Sequence, residues 1–323
     1  MSSEFDLIAR HFHRPVKRAV LGVGDDCALL APVQGQEMAV STDMLVEGTH
    51  FLADTDPRRL GHKTLAVNLS DLAAMGAVPR YATLALAVPD ARDAWLTHFA
   101  AGFFALANRH GVELVGGDTT RGPLNLCVTI FGEVPCGQAI RRDGAVSGDD
   151  LWVSGTLGDA ALGLLALREE ASLGAAERAF CIGRLESPEP RVDLGLALRG
   201  VATSMIDLSD GLAGDAAHLA RASGTAARIN VDAVPLSFAL RGQPQARRLR
   251  CALAGGDDYE LCFTAAADQR DLVVAIGRSV GLSLTRVGSM FERAAGSAPV
   301  LLVDGDGRAL PAMRGYDHFG APP

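Results

Sequence analysis

Apolar residues recur along this chain in two rhythms. Short apolar or alternating runs at 38–42, 81–88, 112–115, 126–134, 151–154, 202–206, 227–234 and 300–303 predict strands. Between them, apolar positions three and four apart predict helices over 4–12, 57–76, 91–110, 159–169, a stretch ending near Gly200, one beginning at Leu212, and 268–281. In the first helix Phe5, Ile8 and Phe12 share a side. In the second, Leu65, Leu69, Leu72 and Met75 form the apolar face, while Asn68 and Asp71, three apart, share another and can point at one site. The polar, glycine-containing segment 141–150 reads as a junction, which divides the chain into domains at 1–148 and 149–323. Strands and long helices mix without regular βαβ alternation or a short tandem period, which predicts an α+β fold.

The polar residues that interrupt this pattern are grouped. Strand 202–206 runs into Asp207-Leu208-Ser209-Asp210-Gly211 and then into a helix marked by Leu212, Ala216 and Leu219. Ser209 and Asp210 are both fit to cap that helix. The arrangement repeats elsewhere, however. Ser41-Thr42-Asp43 closes the run at 38–42, Gly116-Gly117-Asp118 follows 112–115, Asp25-Asp26 follows Val23-Gly24, and Asp257, Asp258 and Glu260 follow Gly255-Gly256. Asp25 suits a turn in which its side chain bonds nearby backbone. Asp26 sits in an otherwise apolar stretch and must find a proton, a cation or water. Oxygen ligands at a strand end suit a hard cation such as Mg²⁺, which needs only one or two protein carboxylates. His50 reads equally as structural or functional, and Arg141-Arg142 as solvated or as reaching a phosphate.

Composition narrows the chemistry. With 323 residues, 48% apolar and 21% charged, the chain is of ordinary globular make-up. Glu4, Asp6 and Arg10 stand where a signal peptide needs an apolar run, and no segment reaches membrane-spanning length, so a cytoplasmic protein is expected. A formal charge of −8 argues against nucleic-acid or anionic-membrane partners. The six cysteines show no metal-ligand spacing and are expected as buried thiols. Lys17 and Lys63 are the only lysines and no GxxxxGK[ST] motif exists, so a nucleotide must be gripped by metal ions, backbone amides and arginine. Six or more converging carboxylates predict several Mg²⁺ or Mn²⁺ ions with a polyphosphate between them. Phosphoryl transfer to a phosphate acceptor needs no general base, which suits a site rich in acids.

Gly24-Asp25-Asp26-Cys27-Ala28, Ser41-Thr42-Asp43 with His50, Asn68 to Ala77, Gly116 to Gly122, Asp207 to Gly211 and Gly256 to Leu261, taken in order, closely resemble the thiamine-monophosphate kinase family of the aminoimidazole-ribonucleotide-synthetase-like superfamily. The resemblance runs from Glu4 to Phe319. It implies transfer of the ATP γ-phosphate to thiamine monophosphate, the last step towards thiamine diphosphate. By position it implies Asp26, Ser41, Thr42, Asp43, Asp71, Asp118, Asp207 and Asp210 as Mg²⁺ ligands, with Asp210, Asp207 and Asp43 at the catalytic centre. Gly117, Asp118, Arg142 and Ser209 would contact ATP, and His50, Asp257 and Tyr316 would line the substrate pocket. Many relatives have glutamate at the place of Asp257, and some have tryptophan at that of Tyr316. The aromatic that packs on adenine in relatives has only Phe103 and Phe104 nearby. The resemblance also implies a homodimer whose N-terminal sheets close a barrel across the two-fold axis, and a C-terminal α/β sandwich. Rival readings are another ATP-using enzyme of the superfamily, a metal-dependent phosphatase, and a regulator that binds the ligands without turnover.

Overall fold

The computed structural model describes residues 4–316. The chain divides into two compact units, one holding the chain up to Leu72 with Ala77–Gly137, the other Ala73–Gly76 and everything from Gln138 onward. The first contains α1 (Glu4–Leu7), which continues as a π-helical turn (Ile8–Phe12), then β1 (Gln36–Val46), α2 (Pro57–Ala74), β2 (Val78–Val88), α3 (Asp93–His110), β3 (Glu113–Arg121) and β4 (Asn125–Pro135). The strands form one sheet in the order β1-β4-β2-β3. Strand β4 lies antiparallel to β1 and β2, whereas β2 and β3 are parallel and need the long crossover that α3 supplies. Leu65, Leu69 and Leu72 of α2, and Leu96, Phe99, Phe103 and Leu106 of α3, are buried as their spacing requires.

Two strands outrun the sequence reading. Strand β1 does not stop at Thr42, because it pairs residue by residue with β4 from Gln36 opposite Pro135 to Val46 opposite Asn125. Asp43 is therefore mid-strand, not at a strand end. Strand β3 likewise absorbs Gly116 to Arg121, which the apolar pattern leaves outside, and pairs them with Thr83 to Val88 of β2. At Gly117 φ is +146°, and a Cβ there would lie 1.9 Å from the Leu84 carbonyl oxygen. Gly117 thus marks close strand contact, not a tight turn.

The second unit contains β5 (Asp150–Ser154), α4 (Asp159–Leu167), α5 (Ala175–Glu186), α6 (Val192–Ala197), β6 (Ala202–Asp207), α7 (Leu212–Ala222), β7 (Thr225–Asn230), α8 (Phe238–Arg241), α9 (Gln245–Ala254), β8 (Leu261–Ala265), α10 (Arg270–Ser279), β9 (Leu284–Glu292) and β10 (Val300–Val303). Its sheet runs β10-β7-β9-β5-β8-β6, with only β10 and β7 parallel. One core joins Leu151, Val153, Ile206, Leu208, Leu212, Ala216 and Leu219. The run predicted over 227–234 ends as a strand at Asn230, whose side chain accepts the Asp232 N–H at 3.0 Å and starts a 3₁₀ turn. Helices α5, α8 and α9 and strand β9 lie outside the predicted elements. In α9 the arginines are good helix formers that show no apolar period, and Cys251, Ala252 and Leu253 are its buried side.

An α+β fold with mixed sheets is what the chain forms. The first sheet is open, with β1 and β3 as its edges, and no barrel closes among the described residues. Cys181, Cys251 and Cys262 are buried as expected, but Cys27 and Cys136 are exposed and Cys127 is half-buried. No helix among the described residues is long and apolar enough to cross a membrane. Of the tail aromatics, Tyr316 is described and Phe319 lies outside the described residues.

Candidate active site

In the first unit α2 and β1 bring oxygen atoms together. Ser41 Oγ donates to Asp71 Oδ2, and the Asp43 N–H donates to Asn68 Oδ1 at 3.2 Å. Asn68 is held in turn by its own Nδ2, which donates to the Thr64 carbonyl at 3.2 Å. The two α2 residues predicted to share a face thus meet β1 at the same place. Burial, then the Asp71 charge, then a hydrogen bond to Asp71 push the Asp43 carboxyl up to about 7. Two carboxylates and a hydroxyl that share a proton in this way form the hard-oxygen donor set that Mg²⁺ prefers, and a cation would relieve their repulsion.

Thr42 faces the other way. Side chains alternate along a strand, and its hydroxyl lies 2.9 Å from Thr129 Oγ1 on the exposed face, so the Thr42 side chain does not join Ser41 and Asp43. His50 follows β1 and is oriented by its Nδ1, which accepts the Val46 N–H at 3.0 Å. The neutral ring therefore carries its hydrogen on Nε2. Buried Lys63 donates to the His50 carbonyl at 3.1 Å.

At the opposite edge of the sheet, a cavity of about 710 Å³ is lined by Gly24 to Ala28, Gly116 to Thr119, Ile8 and Phe12, among others. Asp25 is the turn residue expected, its Oδ1 accepting the Asp26 N–H at 2.8 Å. Asp26 and Asp118 stand exposed around this cavity, Asp118 directly after Gly117 in β3. Phe103 is wholly buried, and Phe104 lies beneath the Arg14 guanidinium at 4.6 Å. Phe12 is the aromatic that reaches the cavity wall, although sequence reasoning saw in it only a helix face.

Asp43 and Asp118 are on the two edge strands, with β4 and β2 between them, which separates them by about three strand spacings, roughly 14 Å. Among the described residues, no three of His, Cys, Asp or Glu are grouped so as to hold a metal ion. Within the first unit, the acids expected from sequence stand in separate sets among the described residues. The acids gather in smaller sets because the strand order places β1 and β3 apart.

The second unit holds a third set. Strand β6 ends at Asp207 and α7 starts after Gly211, whose φ of +103° makes it the N-cap, so neither Ser209 nor Asp210 caps the helix. Asp215, one turn into α7, accepts the Asp210 N–H at 3.1 Å. Burial, then the charges of Asp207 and Asp210, raise its carboxyl well above the ordinary range, with Arg142 pulling weakly the other way. Sequence reasoning gave Asp215 no role, though its place in the first turn of a helix after two acids was legible. Arg142 belongs to this unit: its carbonyl accepts Ser223 Oγ at 2.7 Å, while the neighbouring Arg141 is exposed and pairs with Asp143 at 2.6 Å.

Backbone bonds tie the rest to this turn. The Asp257 N–H donates to the Ser209 carbonyl and the Tyr259 N–H to the Leu208 carbonyl, both at 2.8 Å. The Tyr316 N–H donates to the Asp210 carbonyl at 3.0 Å. Ser209, Asp210, Asp257 and Tyr316 are thus brought together at the N-terminus of α7, whose open N–H groups and dipole favour an anion.

Known proteins resemble this chain along most of its length. Residues 24–134 match the AIR synthase related protein N-terminal domain and residues 146–300 its C-terminal domain. Thiamine-monophosphate kinase of Salmonella typhimurium is 47% identical over 327 residues, covering 99% of each chain. The crystal structure of the enzyme of that name from Stenotrophomonas maltophilia superposes with a TM-score of 0.84 at 48% identity, covering 94% of this chain and 95% of that one. AaThiL complexed with AMPPCP and TMP superposes with a TM-score of 0.78 at 31% identity, covering 90% and 89%. The chain belongs to the thiamine-monophosphate kinase family of the AIR synthase related proteins.

Proposed function

We propose that this chain transfers the γ-phosphate of ATP to thiamine monophosphate, yielding thiamine diphosphate and ADP. The observation that carries this reading is end-to-end identity of 47% with a thiamine-monophosphate kinase, over 99% of both chains. The complex of a 31% identical relative with AMPPCP and TMP supports the pair of ligands.

In this reading Gly117, Asp118, Arg142 and Ser209 are the residues that contact ATP, Gly117 and Asp118 being supplied by β3. His50, Asp257 and Tyr316 orient thiamine monophosphate, the phenol ring packing against a substrate ring. The acceptor phosphate is already ionised, so no side chain must remove a proton, and the work of the protein is in-line alignment. Divalent cations, Mg²⁺ by the character of the donors, supply the charge neutralisation when bound. Asp26, Ser41, Asp43, Asp71, Asp118, Asp207 and Asp210 are the side chains that would hold them, with Thr42 limited to its main-chain oxygen.

We further propose that two copies complete the site. Strand β1 carries an outward row of Met38, Val40 and Met44, respectively 43%, 56% and 53% exposed, an apolar stripe fit for burial in a homodimer. A barrel closed by setting β1 of one copy beside β3 of the other would place Ser41 to Asp43 next to the second copy's nucleotide strand, removing the 14 Å gap estimated from about three strand spacings. The first unit then serves nucleotide, metal and dimerisation, and the second carries further metal, nucleotide and substrate residues. The test is product analysis with γ-labelled ATP and thiamine monophosphate. Label in thiamine diphosphate is expected, while thiamine-independent ADP release, or label in inorganic phosphate alone, would overturn the reading.

A further inference from the structure

Behind the Asp257 loop lies an ion pair that the proposed chemistry does not use. Glu260 has no exposed surface, and its carboxylate is bound on both oxygens. Oε1 accepts from Arg184 Nη2 at 2.8 Å and from Arg191 Nη2, and Oε2 accepts from Arg191 Nε at 2.7 Å and from Ser154 Oγ. The Arg191 pair is the bidentate fork that fixes orientation as well as charge. Ser154 Oγ accepts the Leu261 N–H at 2.9 Å, and Arg184 Nη2 also reaches the Asp258 carbonyl at 3.3 Å. Gly155 leaves room for this arrangement, since a Cβ there would fall 2.3 Å from Glu260 Oε1. Burial pushes the Glu260 carboxyl up, but the hydrogen bonds and charge of Arg191, then the charge of Arg184, outweigh it and keep the group ionised.

Buried ion pairs are a poor source of stability compared with well-packed apolar residues, and their best-attested use is to specify geometry. The geometry at stake here is unusual. Asp257 and Tyr259 adopt φ of +61° and +50°, a left-handed path that non-glycine residues rarely take and that persists only when its surroundings enforce it. Those same two residues donate the N–H groups that bind the Ser209 and Leu208 carbonyls, and the Glu260 carbonyl accepts the Leu208 N–H at 2.8 Å.

We propose that Arg184, Glu260 and Arg191 are positioning residues that lock the loop 257–260 against the turn 208–210, and so station Asp257 for thiamine monophosphate. The inference rests on the kinase reading for its substrate and on geometry alone for the lock. Arg191→Lys keeps the charge and removes the fork. With the full chain, it is expected to raise KM for thiamine monophosphate about tenfold while KM for ATP and kcat stay within about twofold. Amide exchange at Asp257 and Tyr259 should quicken by about tenfold or more, with the amides of β1 to β4 unchanged.

Equal rises in both KM values, or unchanged exchange at the two amides, would overturn the lock. Should Arg191→Lys not fold, Ser154→Ala, which spares both arginines, should shift the same quantities in the same direction by about threefold. If the wild-type chain shows no turnover that depends on thiamine monophosphate, the kinase reading fails, and the exchange comparison still decides the lock.

Discussion

Two regions, the contact of β1 with α2 in the first unit and the arginine-lined loop and sheet of the second, treat their acids in opposite ways. In the second, Glu260 is enclosed by two arginines, and Asp150 accepts from Arg270 at 2.5 Å and from Arg286 at 3.0 Å, so that both carboxyls are held below their ordinary range. In the first, the partner that matters most to Asp43 is another acid, Asp71, and its carboxyl is driven up instead. Asp215 beside Asp207 and Asp210, in the second unit, repeats the pattern of Asp43. Acids that the protein neutralises itself are scaffolding. Acids set against acids would be relieved by a cation, and Asp43, Asp71, Asp207 and Asp210 of the proposed site are of this kind.

Substitution should separate the two kinds. The largest expected effect is from Asp210→Asn, which removes charge from an acid-against-acid set: turnover should fall by about a thousandfold or more while the thermal midpoint holds. Turnover within tenfold of wild type would place Asp210 outside the site. Next comes Glu260→Ala, which leaves two arginines facing an empty buried position and should cost about 3–5 kcal/mol in denaturant unfolding. Asp43→Asn should do the reverse without metal, removing a repulsion and leaving stability unchanged or higher while activity is lost. A clear loss of stability in Asp43→Asn would erase the distinction between the two classes. Gly117→Ala, whose Cβ would strike the Leu84 carbonyl from a positive φ, should cost roughly 3 kcal/mol and uncouple β3 from β2.

How far the sequence could see follows from how each feature is held. Helix α2 was legible because its period of 3.6 is written locally, and with it the joint reach of Asn68 and Asp71. The turn at Asp207 to Gly211 was legible because an apolar run changes there to helical spacing. Strands β1 and β3 ran past their apolar residues because hydrogen bonds to distant strands hold Asp43 and Asp118 in register, which no local pattern records. The outward turn of Thr42 follows from alternation once β1 is known to continue. The separation of Asp43 from Asp118 is set by the strand order β1-β4-β2-β3, a matter of topology. Glu260 looked like one more acid of the site because nothing near it in the chain announces Arg184 and Arg191.

The comparison also has a signature in pH. The Asp43 carboxyl is raised from 3.8 to about 7, so between those values the folded chain keeps a proton that the unfolded chain has lost. Without divalent cation, this contribution to stability is present at low pH and fades as pH climbs towards 7. For Glu260 the folded carboxyl lies below its ordinary value, so its contribution is present at neutral pH and is lost as acid protonates it. Urea unfolding across pH 4 to 8, with and without Mg²⁺, should show a slope between about 4 and 7 that Mg²⁺ reduces. A slope that ignores the cation would detach Asp43 from metal binding.

The smallest effect tests the seam between tail and turn. Gly214 lies in the first turn of α7, and a Cβ there would come 2.9 Å from the Gly315 Cα, next to the residue whose N–H binds the Asp210 carbonyl. Glycine inside a helix is ordinarily worse than alanine by about 1 kcal/mol, so Gly214→Ala should leave overall stability level or slightly raised. The tail has no such gain, since it must shift to clear the methyl group, and Tyr316 moves with it. KM for thiamine monophosphate is therefore expected to rise about fivefold with KM for ATP unchanged, a rise without loss of stability. If both Michaelis constants rise together, the tail steadies the whole of the Asp207 to Asp210 turn. If neither moves, Tyr316 reaches the substrate through contacts that do not depend on this seam.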